Sequence, residues 1–198
     1  MLLSTAYFPP VQWFSLAARG NAYLEACENY QKQSYRNRCY ILGPQGPQML
    51  QVPVVHGGSM AIRDILVDYS TPWVVRTERA LDTAYESAAF YEYLRDEVFS
   101  ILESRPEHLW DLNLRIAEWC LGRIGLPCAL VPTTDFAVPG TQTDDFRYSV
   151  HPKLPAAVSL SKPYYQVFRD RMGGFTPGLS ILDLVFNEGP DSIDFLGA

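Results

Sequence analysis

The spacing of hydrophobic and polar positions changes three times along the chain. Residues 2 to 55 run in short apolar stretches cut by proline and glycine. Residues 73 to 121 repeat at helical intervals, and one dense apolar run stands near residue 184. Leu2 to Tyr7 reads as a buried first strand, ended by Phe8-Pro9-Pro10 because proline has no N–H to give a ladder. Proline suits a first helical turn, so Val11 to Arg19 reads as a short helix closed by Gly20-Asn21. Ala22 to Ala26 reads as a second strand. Cys39 to Leu42 and Met49 to Val55 read as a hairpin around the turn Gly43-Pro44-Gln45-Gly46-Pro47. Ile62 to Tyr69 alternates imperfectly around Asp64 and Asp68 and is expected as a third sheet strand.

Ser70-Thr71-Pro72-Trp73 marks a helix start. Leu81, Ala84, Tyr85 and Ala88 share one face. Tyr93, Leu94, Glu97, Val98 and Ile101 continue it after a break near Ser87. Beyond Arg105-Pro106 a last helix carries Leu109, Leu112, Ile116, Trp119 and Cys120, and Gly125-Leu126-Pro127 ends the block. Apolar positions at these intervals form core seams. Cys128 to Val131 reads as another strand, ended by Pro132. Residues 132–155 form a long polar loop, with the mixed charges Asp144-Asp145-Phe146-Arg147 inside it. A loop of this length serves function or moves, and whether it is a lid stays open. Ser180 is a good helix N-cap, Asp183 makes a weaker capping box, and Gly189-Pro190 is a stop.

These elements predict an α/β or α+β protein, a single domain over residues 1–198. It has a mixed sheet, an N-terminal strand-helix-strand unit, a hairpin and a helical block. In an α/β start the loop after the first strand borders the ligand crevice, so Tyr7-Phe8-Pro9-Pro10 either lines it or packs.

Hydrophobic residues make up 47% of the 198 and charged ones 19%, enough for a sizeable core. The net charge of -6 argues against a nucleic-acid binder, though local basic clusters remain. Cys27, Cys39, Cys120 and Cys128 contain no CxxC, and His56, His108 and His151 complete no zinc spacing. Free thiols, no metal and no cofactor are therefore expected. Met1-Leu2-Leu3-Ser4-Thr5 lacks a basic leader and no window reaches a membrane span, which predicts a cytoplasmic protein without membrane insertion. There is no GxSxG, P-loop, GxGxxG or HExxH, and Gly57-Gly58-Ser59 and Gly43 to Gly46 read as turns.

One stretch does carry candidate chemistry. Lys32, Arg36, Asn37 and Arg38 stand among Tyr30, Tyr35 and Tyr40, directly before the hairpin. This is either a platform for an anionic or sugar-like ligand or a solvated strand edge. Tyr30, Tyr35 and Tyr164 could stack on a base or sugar face. Asp183 and Asn187, four apart, share a helix face and either hold a ligand amine or hydroxyl or serve the helix ends.

Tyr7-Phe8-Pro9, then Tyr30, Lys32, Tyr35, Asn37, Arg38 and Ile41, then Pro53-Val54, resemble the WbqC-like family. Tyr164, Gln166 and Phe168 with Leu179, Ser180, Ile181, Asp183, Leu184, Phe186, Asn187 and Gly189 resemble that family's closing signature. A Gln-Pro pair expected before the first motif is Ser4-Thr5 here. The resemblance implies a transferase of cell-surface polysaccharide (O-antigen) biosynthesis, with glycine or aminoacyl transfer to a nucleotide-linked amino sugar. Lys32 and Asp183 are the expected catalytic residues. Tyr7, Tyr30, Tyr35, Arg36, Asn37, Arg38, Tyr164, Gln166 and Asn187 are the expected substrate contacts. The alternative is a non-catalytic protein of the same pathway that binds a sugar or a partner. The apolar helical block could equally serve a homodimer.

Overall fold

Leu2 and Leu3 form β1 (Leu2–Leu3), which pairs in parallel with β2 (Ala22–Leu24), and β2 pairs in parallel with β5 (Leu130–Pro132). The crossover from β1 to β2 is α1 (Val11–Ala17), whose every side chain is buried. This computed structural model describes residues 1–55 and 60–197, so His56 and the Gly57-Gly58-Ser59 turn lie outside the described residues. The backbone of Asp145 bridges to Leu2, so the long polar loop extends the sheet beyond β1.

Beta-1 is shorter than the apolar run predicts. The chain leaves it at Ser4 and turns within the protein: Phe8 has φ 39°, a left-handed conformation costly for a bulky residue. Full burial and an edge contact with Tyr7 at 4.7 Å hold it there, and the Tyr7 N–H donates to the Tyr35 carbonyl. Likewise α1 stops before Arg19 and β2 before Ala26.

The hairpin forms as expected, from β3 (Arg38–Gly43) and β4 (Gly46–Gln51), with Arg38 opposite Gln51 and Gly43 opposite Gly46. Beta-4 starts three residues earlier than predicted, and its return ends at Gln51. Cys39 and Ile41 are buried, whereas Arg38 and Tyr40 are half-buried on the other face.

Ile62 to Tyr69 is not a third sheet strand. It begins as a 3-10 turn at Ile62–Asp64 and meets its neighbours through two isolated bridges, Val54 to Val67 and Leu66 to His108. Ile62, Ile65 and Val67 are buried all the same, which accounts for the misleading alternation. The Asp68 carboxylate accepts from the Ser70 N–H and turns the chain towards the helices.

Three helices follow: α2 (Trp73–Tyr85), α3 (Tyr91–Glu103) and α4 (Leu109–Ile124). Leu81, Ala84 and Tyr85 are buried as predicted. On α3 the buried seam is Tyr91, Val98, Phe99 and Leu102, while Tyr93 is 75% exposed and does not belong to it. Gly125, at φ 70°, closes α4 in the left-handed conformation that glycine allows.

The last helix, α5 (Ile181–Glu188), is buried from Ile181 to Asn187. A short helix apolar on all sides belongs in a core, and α5 packs against α1, α3, α4 and β3. Gly189-Pro190 ends α5 as expected, Gly189 standing at its C-cap with φ 54°, and a 3-10 stretch, Gly189–Phe195, follows.

Candidate functional site

Two buried guanidinium groups sit at the carboxyl ends of the parallel strands. Arg36 donates from Nε to Glu28 Oε1 at 2.8 Å and from Nη2 to Glu28 Oε2 and to Ser4 Oγ. Both side chains are almost wholly buried. Burial pushes the Glu28 carboxyl up, and the bonds and charge of Arg36 oppose that rise. Arg147 binds Asp145 through Nε and Nη2, Glu25 through Nη1 at 2.7 Å, and the Ala137 carbonyl at 2.7 Å. Glu25 also accepts from Thr133, Cys27 and Ala137. These charges are mutually satisfied, so Arg36 is a clamp between β2 and the hairpin approach rather than a free cation.

Ser4, which stands where the family motif has glutamine, is part of this clamp. Its Oγ accepts from Arg36 at 2.6 Å and lies 3.2 Å from the Arg147 carbonyl.

The neighbours of Arg36 differ from it. Asn37 is buried and donates to the Val52 carbonyl at 2.9 Å, fixing the hairpin base. Tyr7, Tyr30 and Tyr35 are buried, Tyr7 fully, and Tyr30 borders a cavity shared with Phe136 and Tyr148. Burial raises the Tyr35 hydroxyl to about 12. Lys32 is exposed and has no hydrogen bond or ion pair among the described residues. Arg38 forms no ion pair, and its Nε is buried without a partner.

The C-terminal motif residues do come together. The Asp183 carboxylate, 1% exposed, accepts from the Tyr85 hydroxyl at 3.0 Å and from Gln166 Nε2 at 2.8 Å. The Tyr164 hydroxyl interacts electrostatically with the same carboxylate. Burial raises Asp183 to about 6, against the opposing pull of Gln166, Tyr164 and Tyr85. Gln166 is fixed in turn by the carbonyl and the N–H of Thr176. Asn187 donates to the Asp183 carbonyl at 2.7 Å within the helix. The cap belongs to Ser180, whose Oγ accepts from the Leu182 N–H, so Asp183 serves no capping box. Its environment is a closed cage joining α5 to α2 and to the chain at 164–166.

A cavity of about 440 Å³ opens beside this cage. Val11 and Gln12 of α1 form one wall, residues 156–164 another, and Phe175, Pro177 and Gly178 a third. The walls are mainly apolar. Polar groups come from Gln12, Ser159 and Lys162, and Gln12 Oε1 pins the rim by accepting from the Ala157 N–H at 2.7 Å. Tyr164 belongs both to this wall and to the Asp183 cage.

The candidate residues thus divide. Tyr164, Gln166 and Asp183 meet in one cluster with Asn187 behind it, Arg36 and Asn37 hold the hairpin, and Lys32 does not line the cavity. Sequence reasoning missed Tyr85, which reads as one more helix-face residue, and Gln12 and Lys162, which flank motif residues without belonging to them. It also missed Glu25, which directly follows β2, and Glu28, four residues beyond that strand.

The described residues therefore define a mixed α/β protein with a side recess backed by a buried carboxylate. The WbqC-like protein family model matches residues 5–163, and the chain belongs to the WbqC-like family. It is 27% identical to the uncharacterized protein Rv1507c of Mycobacterium tuberculosis (strain ATCC 25618 / H37Rv) over 222 aligned positions. That alignment covers 98% of this chain and 96% of the relative. No solved structure matches the chain. No helix among the described residues is long and apolar enough to cross a membrane.

Proposed function

We propose that this chain is a transferase of cell-surface polysaccharide synthesis that seats an amino sugar in the cavity between α1 and residues 156–164. The observation that carries the reading is the contact between that cavity and the Asp183 cage through one residue, Tyr164. The family resemblance supports the pathway. The recess suits a sugar with part of its carrier: apolar walls take the ring faces, while Gln12, Ser159 and Lys162 meet hydroxyls.

The reaction is aminoacyl transfer from an activated aminoacyl donor to the sugar amine. The amine nitrogen forms an amide bond to the acyl carbon, the bond to the donor's leaving group breaks, and the amine gives up a proton. The Tyr164 hydroxyl is the group that passes this proton to Asp183, whose raised pKa of about 6 suits a base near neutrality. Lys32 takes no part in this scheme.

One observation favours a second reading. Asp183 is sealed by the Tyr85 and Gln166 donors with Tyr164 beside them, which equally describes a structural carboxylate behind a sugar-binding recess without chemistry.

The test is calorimetric titration with nucleotide-linked amino sugars, followed by assay of amide formation with activated glycine. Val158→Trp, which fills the recess, is expected to abolish saturable binding. Tyr164→Phe is expected to keep binding and lose turnover by about a hundredfold or more. Binding that Val158→Trp leaves unchanged would remove the cavity from the proposal. Binding with no turnover would establish the non-catalytic reading.

A further inference from the structure

Arg38 is the feature that the clamp and the cage leave unexplained. Its guanidinium forms no ion pair, and its Nε is buried without an acceptor. A buried N–H without an acceptor is costly, and the rest of this half-buried guanidinium is left with no protein partner among the described residues. Its electrostatic neighbours are the Tyr30 hydroxyl and His151. The Tyr30 hydroxyl also has no partner among the described residues.

His151 extends the pattern. Its Nδ1 accepts from the Lys153 N–H, so the neutral ring carries its hydrogen on Nε2, free to donate. Burial, Lys153, Arg36 and Arg38 all hold its protonation down, and no carboxylate acts against them. Arg36 is neutralised by Glu28, which leaves Arg38 and Lys153 as the uncompensated charges. Lys153 Nζ donates to Gln33 Oε1 at 2.5 Å. Gln33 itself is held at φ 59°, a strained conformation for a residue with a side chain. That bond fixes the ammonium next to the loop that leads into Arg38. In a chain of net charge -6, Arg38 and Lys153 form a local cluster of positive charge beside His151 and Tyr30, with no carboxylate bonded to either cation among the described residues.

We infer that Arg38, Lys153, His151 and the Tyr30 hydroxyl bind the diphosphate of a phosphorylated ligand. Arg38 supplies a forked pair of donors, Lys153 a point charge, and His151 and Tyr30 one neutral donor each. The inference gives the proposed sugar substrate its anionic half and in that sense rests on that reading, but the site can be tested without any sugar. The diphosphate comes either from a nucleotide carrier or from an isoprenoid lipid carrier.

The experiment is NMR titration of the His151 imidazole with inorganic pyrophosphate at fixed ionic strength, assigned with a His151→Gln variant. The neighbouring anion should raise the His151 pKa, with saturation. Arg38→Gln and the exposed Lys153→Gln should each weaken pyrophosphate by about tenfold or more. Because Arg38 binds no protein group, Arg38→Gln should retain its melting temperature, which separates lost binding from lost folding. No movement of His151, an equal response to sulfate, or unchanged binding by folded Arg38→Gln would each overturn the site. Uridine diphosphate and farnesyl diphosphate then separate the two sources, since the carrier in use binds more tightly than pyrophosphate. Failure of the two readings is distinguishable. Pyrophosphate binding without amino-sugar binding keeps this site and removes the sugar, and the reverse keeps the recess and removes the diphosphate.

Discussion

At the scale of single residues, the deciding quantity is whether a charge has found its partner. Arg36 and Arg38 stand two apart in the same motif, yet one is fully bonded to Glu28 and Ser4 while the other is unmet. Asp183 is a third case, ionised only against the cost of burial. Its pKa rises from 3.8 to about 6 in the folded protein. Between those values the folded state holds a proton that the unfolded state has released. Its contribution to stability is therefore full below pH 4 and declines as pH rises through about 6. Two units correspond to roughly 3 kcal/mol. Urea denaturation of wild type and Asp183→Asn at pH 4 and at pH 7 checks this. The wild type's advantage should shrink by about that amount at the higher pH, and a constant difference would place the carboxylate's pKa near its unfolded value.

At the scale of elements, what was legible in the sequence was whatever local chemistry sets. The helical block follows from apolar spacing, the hairpin from Gly43 to Pro47, and the α5 start from Ser180, and each forms close to its predicted bounds. The pattern misled where burial and backbone pairing part company, as in Ile62 to Tyr69. The order of the parallel strands was not legible, because β2 meets β5 across more than a hundred residues. For the candidate site the same limit applies. Tyr164, Gln166 and Asp183 carried a motif, but only the fold brings Tyr85 to them from α2. The junction after α5 offers a test at this scale. Gly189 has φ 54°, and a Cβ built there would stand 2.6 Å from the Phe90 ring. Gly125 has φ 70° at the end of α4, with nothing within 4 Å. Gly125→Ala should therefore cost only the left-handed strain, about 1 kcal/mol. Gly189→Ala adds an overlap with a ring fixed between helices and should cost about 2–4 kcal/mol. Thermal unfolding of the two variants side by side checks the difference.

At the scale of the whole molecule, the long polar loop is fastened by charge rather than by an apolar face. Between β5 and residue 147 its anchors are the Asp145 backbone bridge to Leu2 and the buried Arg147 network. Removing the guanidinium with Arg147→Met leaves Glu25 fully buried without its counter-charge and frees the Ala137 carbonyl. Breaking one side of such a pair costs about 3–5 kcal/mol. Because Glu25 directly follows β2 and the loop covers that end, the loss should appear locally as well. Thermolysin is expected to cut near Phe136 and Val138, both already exposed, much faster in the variant than in wild type. Arg95 and Asp82, on α3 and α2, provide the control. Their ion pair is equally short, but the side chains are 39% and 42% exposed. Solvent and salt screen it, so Arg95→Gln should lower stability only slightly and leave the loop's cleavage rate untouched. Raising the salt concentration should narrow the Arg95→Gln difference while leaving that of Arg147→Met in place. If both variants respond alike to salt, the Arg147 network is open to solvent and the loop is held to the sheet by its backbone bridge to Leu2.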